Sequence, residues 1–221
     1  IYVLGSIHGN MLDQPRNNLR DFVGAIQLFR PTLILNEVRP EYPNSVEGTI
    51  DGGPEQSLVY AYAKENNVQV IPVDWFDDQY NLDSEKESSQ MPEGLKREIE
   101  PLFARFRKIV QHGSFVESQS LDTQNLIRAR YDLMAQKGFA VLRKRDEAIC
   151  KNIRTQLTSF QNKRVLIVFG LAHKHFLEDC VRGMGLKPLS VEDWFDPAKA
   201  HQTRISDELK DAAVQTFRSE E

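Results

Sequence analysis

The 221-residue chain has only two cysteines, two tryptophans and four methionines. Two thiols are too few for a disulfide-stapled scaffold and define no compartment. Cys150 and Cys180 fall in helix-like segments and read as small core side chains. No apolar run approaches the roughly 18–20 residues that a membrane span needs. Positive charge is not in excess either. A formal net charge of −4 argues against a nucleic-acid or anionic-membrane surface as the main partner. The chain has no Gly-x-Ser-x-Gly elbow, no phosphate-cradling Gly-x-x-x-x-Gly-Lys and no His-Glu-x-x-His. It shows no signal-peptide pattern, yet Ile1 opens inside a strand-like run without a Met. That start fits a missing leader and leaves the compartment unread.

What is present is ordinary in composition, with 40% hydrophobic and 27% charged residues. The length suits one sizeable core, read as a single domain over residues 1–221. The patterning is more informative. Leu166–Val168 is a β-type apolar run that meets Gly170, with His173 three residues further on. Ile1–Leu4 runs into Gly5 and His8 in the same way. A strand that ends at glycine and then presents a polar side chain is how open α/β sheets build sites at their strand ends.

Between these ends, Leu19, Phe22, Val23, Ile26 and Phe29 follow helical spacing, and Pro31 stops that helix. Thr32–Leu35 is a strand apolar on both faces and delivers Glu37 and Arg39. Residues 41–54 read as a glycine-containing loop, a candidate lid, before a helix at about 55–66. Val68–Val73 is the next strand and delivers Asp74 and Trp75. Residues 78–137 read as a helical insertion. A helix over about 139–160 follows, with Asp146 on its apolar stripe and Arg145 at the border. Pro188–Val191 reads as a short strand, and Asp193–Asp196 repeats the tetrapeptide Asp74–Asp77. The two repeats are unequally separated, so no simple tandem duplication is visible. From Ile205 the tail reads as an amphipathic helix.

Alternating strands and helices of these lengths predict an α/β domain with a mostly parallel central sheet flanked by helices. Parallel strands end on one edge, so His8, Glu37, Asp74 and His173 should converge there. Two imidazoles with carboxylates suit a divalent ion such as Mn, Co or Zn, held by His8, His173 and Glu37. Asp74 and Arg145 complete the expected catalytic set, and Arg39, Asp146 and Ser6 are candidate substrate contacts. A His acting as general base, oriented by Glu37 or Asp74, is the metal-free alternative. His175 faces the site or solvent in this reading, whereas His112 and His201 lie on the surface.

With Gly5–His8, Gly170–His173, Glu37 and Arg145-Asp146 in this order, the chain resembles the TraB/TIKI/GumN group. That group belongs to a superfamily that also holds ChaN-like haem-binding lipoproteins and erythromycin esterases. The resemblance spans nearly the whole chain, and it implies an α/β fold with a helical insertion and a metal-dependent hydrolase. In the TIKI branch it implies a peptidase using manganese or cobalt. Asp146 stands where TIKI-like members carry Asn, and no membrane anchor of the kind many relatives have is visible. The expected partner is a peptide or small-molecule substrate. The rival readings are a non-catalytic haem or small-molecule binder and a metal-free esterase.

Overall fold

In the computed structural model, residues 1–12, 14–45, 49, 53–158, 163–202 and 206–207 are described. Strands β1 (Tyr2–Ser6), β2 (Leu33–Asn36), β3 (Gln69–Pro72) and β4 (Val165–Gly170) form one sheet. Its order is β1-β4-β2-β3 and every pairing is parallel. The fold is therefore α/β with a central parallel sheet.

Strands β1, β2 and β4 are buried along their whole length and largely apolar because both faces are covered, whereas the edge strand β3 opens on an exposed Gln69. Tyr2, Leu4, Ile34, Leu166 and Val168 join one core with residues of α1 (Leu19–Phe29) and α2 (Pro54–Asn66). Val3, Leu33, Leu35, Val165, Ile167 and Phe169 point the other way. They meet Ile149 and Ile153 of α7 (Val141–Leu157) and Leu177 and Val181 of α8 (Lys174–Gly183). The period-two alternation of a strand divides these side chains between the two layers.

Helix ends follow local chemistry. Asn18 caps α1 and Asp21 closes a capping box, while Arg30 ends the helix in the left-handed region at φ 51°. The 78–137 segment forms α3 (Asp78–Gln90), α4 (Glu93–His112), α5 (Phe115–Gln119) and α6 (Leu121–Gln136). Helix α7 lacks a side-chain cap of its own at Ala140. Glu87 of α3 substitutes, accepting from the backbone N–H of Ala140 at 2.9 Å and of Val141 at 3.1 Å. The short α9 (Pro197–Gln202) packs on α1. Among the described residues, no helix is long and apolar enough to cross a membrane.

Three expectations are corrected. Gly5 lies inside β1 rather than at its end, because pairing with β4 continues to Ser6. Pro188–Val191 is not a strand: only Leu189 N–H bonds back, to the Ile1 carbonyl at 2.8 Å, and Val191–Asp193 coils into a 3-10 turn. Pro188 has no N–H to offer a ladder. At Gly5, the Gln119 side chain occupies the free edge of β1, accepting from Gly5 N–H at 2.9 Å and donating to the Gly5 carbonyl at 2.6 Å. Lastly, Cys150 and Cys180 are not free core thiols but a disulfide joining α7 to α8, with Cα atoms 5.9 Å apart. Each points inward from its own helix, which is the pattern that made them read as packing. The expected lid and the helix end at 160 fall partly on residues outside those described, as does nearly all of the tail helix.

Candidate functional site

Parallel pairing brings the four strand ends together, and the backbone ladder continues one step beyond them. Glu37 N–H donates to the Val168 carbonyl at 3.1 Å, and Asp74 N–H to the Val38 carbonyl at 3.1 Å. Both carboxylates are thus aimed by the sheet itself. Arg145 of α7 ties them together. Its Nε and Nη2 donate to Asp74 at 2.9 and 2.7 Å, and Nη2 donates to Glu37 at 2.9 Å. This fork is the geometry only an arginine supplies. The paired carboxylates, Asp74 first, raise the Arg145 pKa against the opposing pull of burial. Arg145 is therefore a strut between carboxylates rather than a free substrate contact.

Two histidines flank Glu37. His173, at the start of α8, sits with Nε2 3.7 Å from Glu37 and Nδ1 2.5 Å from Asp146 of α7. An ionised carboxylate only accepts, so the Nδ1 proton is assigned to that contact and Nε2 faces Glu37. The pair is buried, and the ring meets Phe169 edge-on. His8 follows β1 in a 3-10 turn, and its φ of 49° lies in the left-handed region that non-glycine residues rarely adopt. Such strain persists where surroundings hold it, and it marks functional positions. What holds it here is Glu55, whose Oε1 accepts from His8 Nδ1 at 2.7 Å and from Ser6 Oγ at 2.7 Å. Burial pulls the His8 pKa down, but the Glu55 hydrogen bond and charge, then Glu37, push it up to about 9. Burial likewise opposes ionisation of Glu55, and His8 and Ser6 overcome it to lower its pKa.

Gly170 makes the approach of these groups possible. Its N–H donates to Glu37 at 2.5 Å, and a Cβ there would lie 2.5 Å from His8 Nε2. Only glycine fits between the two units.

The structure thus brings His8, Glu37, Asp74, Arg145, Asp146 and His173 together. Ser6 is placed differently from its expected role: it is buried at 1% exposure and supports Glu55 instead of lining the cleft. Arg39 sits at the rim, its guanidinium 4.4 Å from the Tyr42 ring and 4.2 Å from Phe76. Asp193–Asp196 lies elsewhere. Trp194 packs T-shaped on Tyr2 and Phe29, and Asp196 accepts from the backbone N–H groups of Ala198 and Lys199.

The residue missed from sequence is Glu55. It stands in the first turn of α2, where an acid is ordinary complementation of the helix dipole. His8, Glu37 and Glu55 are the described residues whose donor atoms all lie within 4.8 Å of one another, as a metal site requires. His173, expected as a ligand, stands beside that group at Glu37. The donor chemistry, one imidazole and two carboxylates, fits a borderline or hard divalent ion. Glu55 is fully buried, and its Oε2 has no hydrogen-bond partner among the described residues, a buried acceptor of the kind such an ion would engage. The locality is rich in negative charge: Glu37, Glu55, Asp74 and Asp146 share one guanidinium and two imidazoles. No family model, curated protein or solved structure matches the chain significantly.

Proposed function

We propose that the protein is a metal-dependent hydrolase acting on a peptide or a small ester or amide at the carboxyl edge of the sheet. The observation that carries this reading is the paired histidines. Each is held at Nδ1 by a buried carboxylate, and each turns its Nε2 side toward the Glu37–Gly170 corner. Carboxylate–imidazole pairs of this kind orient metal ligands and catalytic bases alike.

His8, Glu37 and Glu55 would hold a manganese, cobalt or zinc ion. Such an ion supplies a nucleophilic water near neutral pH and polarises a carbonyl. His173, kept in one tautomer by Asp146, accepts the proton of the attacking water and returns it to the leaving group. Arg145 and Asp74 keep Glu37 in place, and Arg39 would exchange Glu41, its partner at 3.2 Å, for a substrate carboxylate. The disulfide supports an oxidising compartment.

A second reading has one observation in its favour. His8 Nδ1 lies 2.7 Å from the buried Glu55 carboxylate, a contact that favours the imidazolium, and the ring could then serve as a general acid without metal, as in an esterase. Elemental analysis of chelator-free protein beside a His8→Ala/His173→Ala variant separates the two. About one equivalent of metal, lost in the variant, is the expected result. A peptide and ester screen should find activity that His8→Ala, His173→Ala and Glu37→Ala each abolish with the fold intact. Activity that survives exhaustive chelation would overturn the metal reading in favour of the second. Full activity in any single variant would remove that residue from the mechanism.

A further inference from the structure

Asp146 has a second side. A cavity of about 370 Å3 opens between α6, α7 and α8, with Asp146 in its wall. That volume is at the small end of the range that holds single organic ligands. Tyr131, His175, Phe176 and Leu142 give it an aromatic and apolar lining. Tyr131 and His175 are stacked, with ring centroids 5.9 Å apart and planes 6° from parallel. His175 lies in the cavity wall rather than in solvent: it is 7% exposed, and its buried Nδ1 makes no close hydrogen bond among the described residues.

The charges around the cavity are unequal. Arg128 pairs with Asp179 at 2.7 Å, a carboxylate it shares with Arg182 at 2.7 Å, and Arg143 pairs with Asp132, so both guanidiniums in the wall are engaged by carboxylates. Asp146 is the carboxylate in the wall that pairs with no guanidinium among the described residues, its partner being the His173 ring. Its Oδ1 accepts from His173, and no hydrogen bond engages Oδ2 among the described residues.

We propose that this cavity binds a small organic ammonium ion, a primary amine with an apolar body. The ammonium would sit against Asp146 and the aromatic faces, a combination that attracts cations through both charge and ring quadrupole. An anion meets the Asp146 carboxylate, and a neutral isostere gains nothing from its charge. Because Asp146 also orients His173, occupancy of the cavity is coupled to the strand-edge site through one residue. The binding proposal itself does not depend on hydrolysis or on a metal.

The test is calorimetric titration of the full chain as purified, with and without EDTA, using benzylamine, benzyl alcohol and benzoate. Benzylamine should bind saturably and at least tenfold more tightly than the other two, with affinity falling as salt rises. The histidine ring resonances of His175 and His173 should shift together. Leu142→Trp fills the cavity without altering a charge and should abolish binding. Tyr131→Leu, a milder change, should weaken it about tenfold. No saturable binding, equal binding of all three probes, or unchanged binding in both variants would overturn the proposal. The readout needs no turnover, so a failed hydrolase reading leaves it standing, and its own failure leaves that reading untouched.

Discussion

The two strand–Gly-x-x-His units sit on adjacent parallel strands and hold their histidines by the same ring atom, yet they differ in almost everything else. His8 leaves β1 through a left-handed backbone step, its side chain 48% exposed over a fully buried Glu55. His173 leaves β4 with ordinary helical backbone, and its side chain is 6% exposed against an equally covered Asp146. One unit keeps its imidazole open to solvent at the expense of backbone strain. The other gives up exposure for a fixed orientation. A shared spacing therefore fixes where an imidazole emerges from a sheet, while the partner helix decides what it can do. Four measurements probe that difference.

The largest effect should come from the covered pair. Asp146→Ala leaves the buried His173 Nδ1–H without its carboxylate and should cost about 3 kcal/mol in urea unfolding. Glu55→Ala should cost less, about 1–2 kcal/mol, because His8 can turn to water. Equal costs would mean that exposure does not separate the units. Next, the covered unit is also the cross-linked one. Reduction, or a Cys150→Ala/Cys180→Ala variant, opens a loop of sequence separation 30 and should cost about 3 kcal/mol. It should also broaden the His173 ring signal before that of His8.

Gly170→Ala should cost about 1–3 kcal/mol and drive His8 from its place. The loss of any metal bound at His8 should exceed what that destabilisation predicts. The smallest effect is in pH. The folded-state pKa of His8 is raised from about 6.5 to about 9, so its stabilising contribution is complete below pH 6.5 and disappears as pH rises through 9. Unfolding midpoints measured from pH 6 to 10 should fall across that window, and Glu55→Gln should flatten the fall.

The α/β class was legible because the apolar runs around Leu33–Leu35 and Leu166–Val168 cannot be half-exposed strands, and helical stripes such as Phe22–Phe29 separate them. His8, Glu37, Asp74 and His173 were legible as a group because strand ends in a parallel sheet share an edge. Glu55 was not, since an acid in a first helical turn has an ordinary explanation and its burial is decided by long-range packing of α2. The disulfide was hidden for the same reason, since each cysteine faces inward on its own helix. The repeated Asp-Trp-Phe-Asp shows the limit most plainly. Trp75 is left 36% exposed beside Asp74, whereas Trp194 is wedged among core rings. Identical letters took their roles from their neighbours.

The strand order carries a consequence for how the chain is made. β4 is the last of the four described strands to leave the ribosome, yet it lies between β1 and β2 and supplies hydrogen-bond partners to both. β2 and β3 can pair as soon as both have emerged, but β1 must wait for more than 150 residues of synthesis. During that wait an apolar strand has no neighbour to cover it, the kind of exposure that chaperones exist to manage. The strand-edge cluster is complete only when β4 is inserted, so Gly170 and His173 join His8 and Glu37 only once the sheet is finished.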